Sequence, residues 1–130
     1  MSAPSGREMI ENASSRDTLA KQLFVVFTEP IDGLENDPNS KAEHLKYQVE
    51  IEQKGIMLAA GRLADDSGES WSGDGMVIIR ADSLEKATKI AEADPMHSSS
   101  ARKLNIRPWV MNEGGFKLRA TFSEGKQRID

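Results

Sequence analysis

Four β-rich apolar runs and two helical patterns follow one another in the order β-α-β-β-α-β, and few architectures accept that order. The β runs are QLFVVFT (Gln22–Thr28), GIMLAAGRLA (Gly55–Ala64), DGMVIIRA (Asp74–Ala81) and LNIRPWVM (Leu104–Met111). A helix is expected from about Asn39 to Lys54, closed by Gly55, with Ala42, Leu45 and Val49 as its apolar stripe and Ile51 on the shoulder. A second helix is expected to begin at Asp82, with Glu85 in a capping-box position and Leu84, Ala87, Ile90 and Ala91 on one face. EPIDGLENDPNS (Glu29–Ser40) reads as a loop marked by Pro30, Gly33 and Pro38. DDSGESWSG (Asp65–Gly73) reads as the long tip of an antiparallel hairpin. The class is α+β, a ferredoxin-like sandwich. Right-handed crossovers put the first and third strands at the centre of the sheet, and Pro108 consigns the fourth to an edge.

Two helices cover only one face of such a sheet. Yet LFVVF and MVII are continuously apolar, as in strands buried on both sides. A second copy of the chain, sheet against sheet, would cover the open face. The alternative cover is the chain's own ends. Residues 1–20 form a polar extension with a weak stripe of Met9, Ile10, Ala13 and Leu19, enough for a short helix. The ferredoxin-like domain is expected over 21–122, including an extra C-terminal strand in FKLRATF (Phe116–Phe122), and 123–130 as a charged tail.

Composition removes several kinds of function. A net charge of −4 argues against nucleic acid as a partner. The absence of cysteine excludes disulfides, thiolate nucleophiles and thiolate metal ligands. The N-terminal residues lack the apolar run of a signal peptide, and no stretch approaches the ~20 apolar residues of a membrane span. A soluble, cytoplasmic protein with no membrane partner is expected. No dinucleotide or Walker pattern occurs, so no nucleotide cofactor is expected. With two histidines at no metal-binding spacing, no metal ion is expected either.

The topology gathers polar residues at one sheet edge. The first helix starts there, the second ends there, and the hairpin tip and the start of the fourth strand lie there. That edge receives His44, Asp94, Arg62, Asp65, Asp66, Trp71, His97 and Arg107. A histidine beside a carboxylate suits proton transfer, because the imidazole titrates near neutrality and its partner fixes the tautomer. Asp94 has a second reading. With Pro95 it forms an N-cap and N1 pair for a short helix through PMHSSSARK, and both roles can hold at once. His97, Ser98, Arg62 and Arg107 could hold an anionic group, and Trp71 could lid the cleft. The competing readings are solvated serines, arginines paired with Asp65 or Asp66, and tryptophans used for packing, the role expected of Trp109.

EHLKYQVEIEQKGIMLAAGRLAD, GDGMVIIRADSLEKATKIAEADP and IRPW together resemble the YCII-related family of small dimeric α/β-barrel proteins. The likeness covers roughly Leu23 to Trp109. It implies a ferredoxin-like protomer, a homodimer formed by sheet packing, and His44 and Asp94 as the site residues. The chain departs from the pattern at Ser100, where many relatives carry glycine, and at Arg62, where many carry proline or a similar residue. Two functions are compatible with these residues. One is a cofactor-independent isomerase, lyase or hydrolase using His44 and Asp94 on a small anionic molecule. The other is a non-catalytic dimeric module that binds a metabolite or a partner protein in the same cleft.

Overall fold

The computed structural model describes residues 2–31 and 38–130. The centre of the expected Glu29–Ser40 loop, Gly33 included, lies outside the described residues. The elements are α1 (Gly6–Ser14), β1 (Lys21–Pro30), α2 (Pro38–Gln53), β2 (Met57–Arg62), β3 (Gly75–Ile79), α3 (Leu84–Glu92), α4 (Pro95–Ser98), β4 (Arg102–Met111), β5 (Leu118–Thr121) and β6 (Lys126–Ile129). They fall into two compact units, one of residues 22–109 and one of residues 1–21 with 110–130.

In the larger unit four strands form one sheet in the order β2-β3-β1-β4. β1 and β3 are central and β4, with its proline, is an edge, as the β-α-β-β-α-β order requires. β1 pairs antiparallel with β3 from Phe24 opposite Ile79 to Thr28 opposite Gly75. β2 pairs antiparallel with β3 from Met57 opposite Ile79 to Arg62 opposite Gly75, with a bulge between Met57 and Ala59. Phe24 and Val26 point to the helices and build the core with Ile79, Ala87 and Ala91. Each large side chain so buried contributes roughly 1.5–3 kcal/mol. Leu23 and Val25, on the other side of the strand, are buried too. Further along that second face Phe27 and Trp109 are 37% and 40% exposed.

α2 presents a different stripe from the expected one. Leu45 and Val49 are 61% and 49% exposed, and Ala42 is exposed as well. Half-buried His44, Tyr47 and Gln48, with buried Ile51, form the inward face at helical spacing. Tyr47 fixes this rotation by donating its hydroxyl to the Ile90 carbonyl of α3 at 2.7 Å. The start of α3 also differs from expectation. Its N-cap is Ser83, whose hydroxyl accepts the Lys86 N–H at 3.1 Å, while Asp82 sits outside and pairs with Lys86 at 3.0 Å. Ser83 has the extended backbone a cap needs (φ −157°, ψ 162°).

Two helices end in the same hydrogen-bond pattern with different residues at its left-handed position. After α2, Ile56 N–H reaches Ile51 O and Gly55 N–H reaches Glu52 O, with Gly55 at φ +73°. After α4, Ala101 N–H reaches Met96 O and Ser100 N–H reaches His97 O, with Ser100 at φ +60°. An L side chain in that region costs about 1–2 kcal/mol, partly offset by the chain entropy glycine would lose on folding. Ser100→Gly should therefore stabilise the protein by about 0.5–1 kcal/mol, a rise of about 2–4 °C in Tm. A thermal melt with no rise would contradict it.

In the smaller unit Ser5 and Glu8 make a reciprocal capping box at the start of α1. The Ser5 N–H, and then its hydroxyl, hold the Glu8 carboxyl below the usual carboxylate range. Leu19 N–H donates to the Asn112 carbonyl at 3.0 Å, and the Thr18 hydroxyl donates to the Ala13 carbonyl at 2.7 Å. The extra C-terminal strand forms as β5. It pairs not with the main sheet but with β6, which occupies the residues expected as a charged tail. Gly125, at φ +62°, supplies the left-handed residue that lets the chain turn back.

Candidate functional site

Pro95 forces the preceding residue out of helical geometry, so Asp94 breaks the chain between α3 and α4 in an extended conformation. From there its carboxylate does two jobs. Oδ1 accepts the Met96 N–H at 2.9 Å, capping α4. The same carboxylate meets His44, fifty residues earlier on α2, whose Nδ1 lies 2.8 Å from Oδ1 and 2.7 Å from Oδ2. α4 packs against both α2 and α3, which brings these distant residues together. Asp94 is 6% exposed, whereas the His44 ring is a quarter exposed. A carboxylate can only accept, so Nδ1 carries the proton and the His44 lone pair is left at Nε2. That is the tautomer a general base needs.

Tyr47 stands one turn along α2 from His44. Burial pushes its phenol upward, and the negative charges of Asp94 and Glu50 push it further, so it stays neutral at ordinary pH. His97 on α4 is partly buried, with Nδ1 2.7 Å from the Ala91 carbonyl. Asp94, His97, Tyr47 and Gln48, with apolar Val26 and Ile79 among others, line a cavity of about 20 Å³.

The other expected site residues are placed differently. Trp71 is exposed in the hairpin tip, and Ser98 is exposed at the end of α4. Arg107 was expected near the start of the fourth strand, but that strand begins at Arg102. Arg107 is therefore mid-strand, alternating with core-facing Leu104 and Ile106, and lies on the face away from the helices. Arg62 is exposed but on the helix side, since its register neighbour is Gly75, opposite Thr28. None of these four lines the cavity. Asp65 accepts from the Ser67 N–H and hydroxyl, which hold its carboxyl low, with Ser67's hydroxyl the larger cause. Asp65 thus closes its own turn. Trp109, expected in packing, is 40% exposed in the single chain. Among the described residues no group of three or more histidines and carboxylates is placed to share a metal ion.

Sequence reasoning missed Arg102. Its guanidinium donates to the Thr28 hydroxyl and carbonyl and to the Gly73 carbonyl, tying the end of β1 to the hairpin, and burial lowers its pKa. Arg62, Gly75, Thr28 and Arg102 thus form one row across the sheet, with an arginine at each end.

The comparisons with known proteins agree with this architecture. The uncharacterized protein YjpA of Bacillus subtilis is 29% identical over 72 residues, which cover 55% of this chain and 78% of that protein. The structure of 5-chloro-2-hydroxyhydroquinone dehydrochlorinase (TftG) from Burkholderia phenoliruptrix, in complex with 2,5-dihydroxybenzoquinone, superposes with a TM-score of 0.53 at 18% identity. That match covers 67% of this chain and 92% of the other, and it shows a shared fold. Residues 22–110 match the YCII-related domain along its β-α-β-β-α-β core, and the chain belongs to that family.

Proposed function

We propose that the protein is a cofactor-independent enzyme in which His44 and Asp94 move a proton on a small, anionic, ring-derived substrate. The reading rests on one observation, the 2.7 Å contact that leaves Nε2 of a partly exposed imidazole as the basic atom. Nε2 takes a proton from a substrate hydroxyl or carbon, and the electron pair left behind shifts the ring or expels a leaving group. Asp94 stabilises the imidazolium, which returns its proton to the departing group, to a ring carbon or to water. Elimination is favoured over isomerisation and hydrolysis because the fold neighbour is a dehydrochlorinase. Arg62, the exposed cation on the helix side of the sheet, is assigned the anionic group.

Chloride release from 5-chloro-2-hydroxyhydroquinone, without added cofactor or metal, tests this reading. A rate no higher than in buffer across related hydroxylated rings would leave only the binding-module reading, under which variants of His44 lose affinity and no chemistry.

The working form is proposed to be a homodimer. Phe27 and Trp109 leave exposed apolar surface on the second face of the sheet, beyond the stretch of β1 that the single chain already buries. Trp109→Lys should shift the sedimenting species from dimer to monomer, since a desolvated ammonium is not tolerated between packed sheets. A variant that sediments like its parent would remove that face from consideration.

A further inference from the structure

We infer that the cavity behind Asp94 holds one water molecule that joins His97 to the Asp94 carboxylate, making His97 a positioning residue for the His44–Asp94 pair. Three observations carry this. The first is the tautomer of His97. Its Nδ1 faces a backbone carbonyl at 2.7 Å, and a carbonyl can only accept, so Nδ1 holds the proton and Nε2 is a bare acceptor. That Nε2 is buried and meets no donor among the described residues. A buried acceptor left in this state costs about 1–3 kcal/mol, which a bound donor removes.

The second observation is the carboxylate. It offers about four acceptor positions. Among the described residues its donors are the Met96 N–H, bonded to Oδ1, and the His44 Nδ1–H, which spans both oxygens. Oδ2 therefore has room for another donor. The third is the space between. His97 and Asp94 both line the cavity, and its volume of about 20 Å³ matches a single water-sized body. A water there can give one hydrogen to His97 Nε2 and the other to Asp94 Oδ2, and accept one from the Gln48 amide, which lines the same space. Three bonds are the usual number for a buried water.

With its free lone pair engaged, Asp94 is held from three sides: by the α4 backbone, by α2 through His44 and by the water. The carboxylate then cannot rotate away from His44 Nδ1. The hydrogen-bond chain stands on geometry alone, while its effect on rate rests on the acid/base reading of His44.

Heteronuclear NMR of the imidazole rings in the full-length protein tests the chain directly. In the parent, His97 should show the Nδ1–H tautomer, with cross-relaxation from a long-lived water. His97→Phe, which keeps the ring shape but removes the acceptor, should lose that signal and move His44 toward a mixture of tautomers. It should also lower kcat about tenfold at unchanged KM, the low end of what orienting partners of ligand residues are worth. His97→Gln, whose amide oxygen reaches the Nε2 position, should restore both readouts, and His97→Asn, which reaches only the Nδ1 position, should not. The Gln and Asn pair decides the matter if His97→Phe does not fold. A parent His97 protonated at Nε2 alone, or a His44 spectrum indifferent to these substitutions, overturns the inference. A failure of the enzyme reading would look different, with ring signals intact and no turnover to lose.

Discussion

His44→Asn should lower turnover by roughly 10²–10⁴-fold, the usual worth of a positioned general acid or base. Thermal unfolding should stay within a few degrees of the parent. The two expectations belong together because asparagine separates the two nitrogens of histidine. Its amide N–H₂ lies where Nδ1 lies, so the donor to Asp94, now 2.7 Å away, is retained. Nothing replaces Nε2. Because the ring is a quarter exposed, little packing is lost on its removal. A variant that melts like the parent and turns over like it ends the assignment of His44 as the proton carrier. One that fails to fold would indicate a structural role for His44 instead, at odds with its exposure.

Substitution of Asp94 splits by replacement. Asparagine is as good an N-cap as aspartate, so Asp94→Asn should hold Met96 N–H through its amide oxygen and melt nearly as the parent does. Its nitrogen then faces His44 Nδ1 and donates, which drives the imidazole to the Nε2–H tautomer and removes the base. Turnover should fall about as far as in His44→Asn, again roughly 10²–10⁴-fold. Asp94→Ala should lose activity too. It should also be about 1–3 kcal/mol less stable, because the cap is gone and a buried N–H is left without a partner. Urea titration reads the stability difference, and a steady-state assay reads the rate. Parental turnover in Asp94→Asn would show that the carboxylate is a cap and nothing more.

Much of this arrangement was legible in the order of the residues. The β-α-β-β-α-β succession places β1 and β3 in the centre and brings the start of α2 and the end of α3 to one edge, so His44 and Asp94 meet without any local motif linking them. Proline after Asp94 makes its capping role readable from the sequence, and its partnership with His44 is what the family resemblance implies. What hydropathy could not resolve was the rotation of α2. That helix carries two stripes, one of Ala42, Leu45 and Val49 and one of His44, Tyr47, Gln48 and Ile51, and apolarity alone selects the first. The Tyr47 hydroxyl and the His44 ring find partners only on the inner side, and those hydrogen bonds decide the matter against transfer free energy. Arg102 precedes the expected fourth strand, LNIRPWVM, so the sequence offers only Arg107 as that strand's arginine. Strand boundaries are soft, and starting β4 two residues earlier moves one arginine into the first position and leaves the other facing the opposite way. From the sequence His97 is expected to help hold an anionic group. Its buried acceptor becomes apparent only when Ala91 O claims the other nitrogen.

The kink that β2 takes at Leu58 and the ring of Pro108 in β4 sit on opposite rims of the same sheet. Each interrupts the row of backbone donors and acceptors that a stray extended segment would need for zipper-like growth. Growth of the sheet by main-chain pairing is thereby discouraged along both rims.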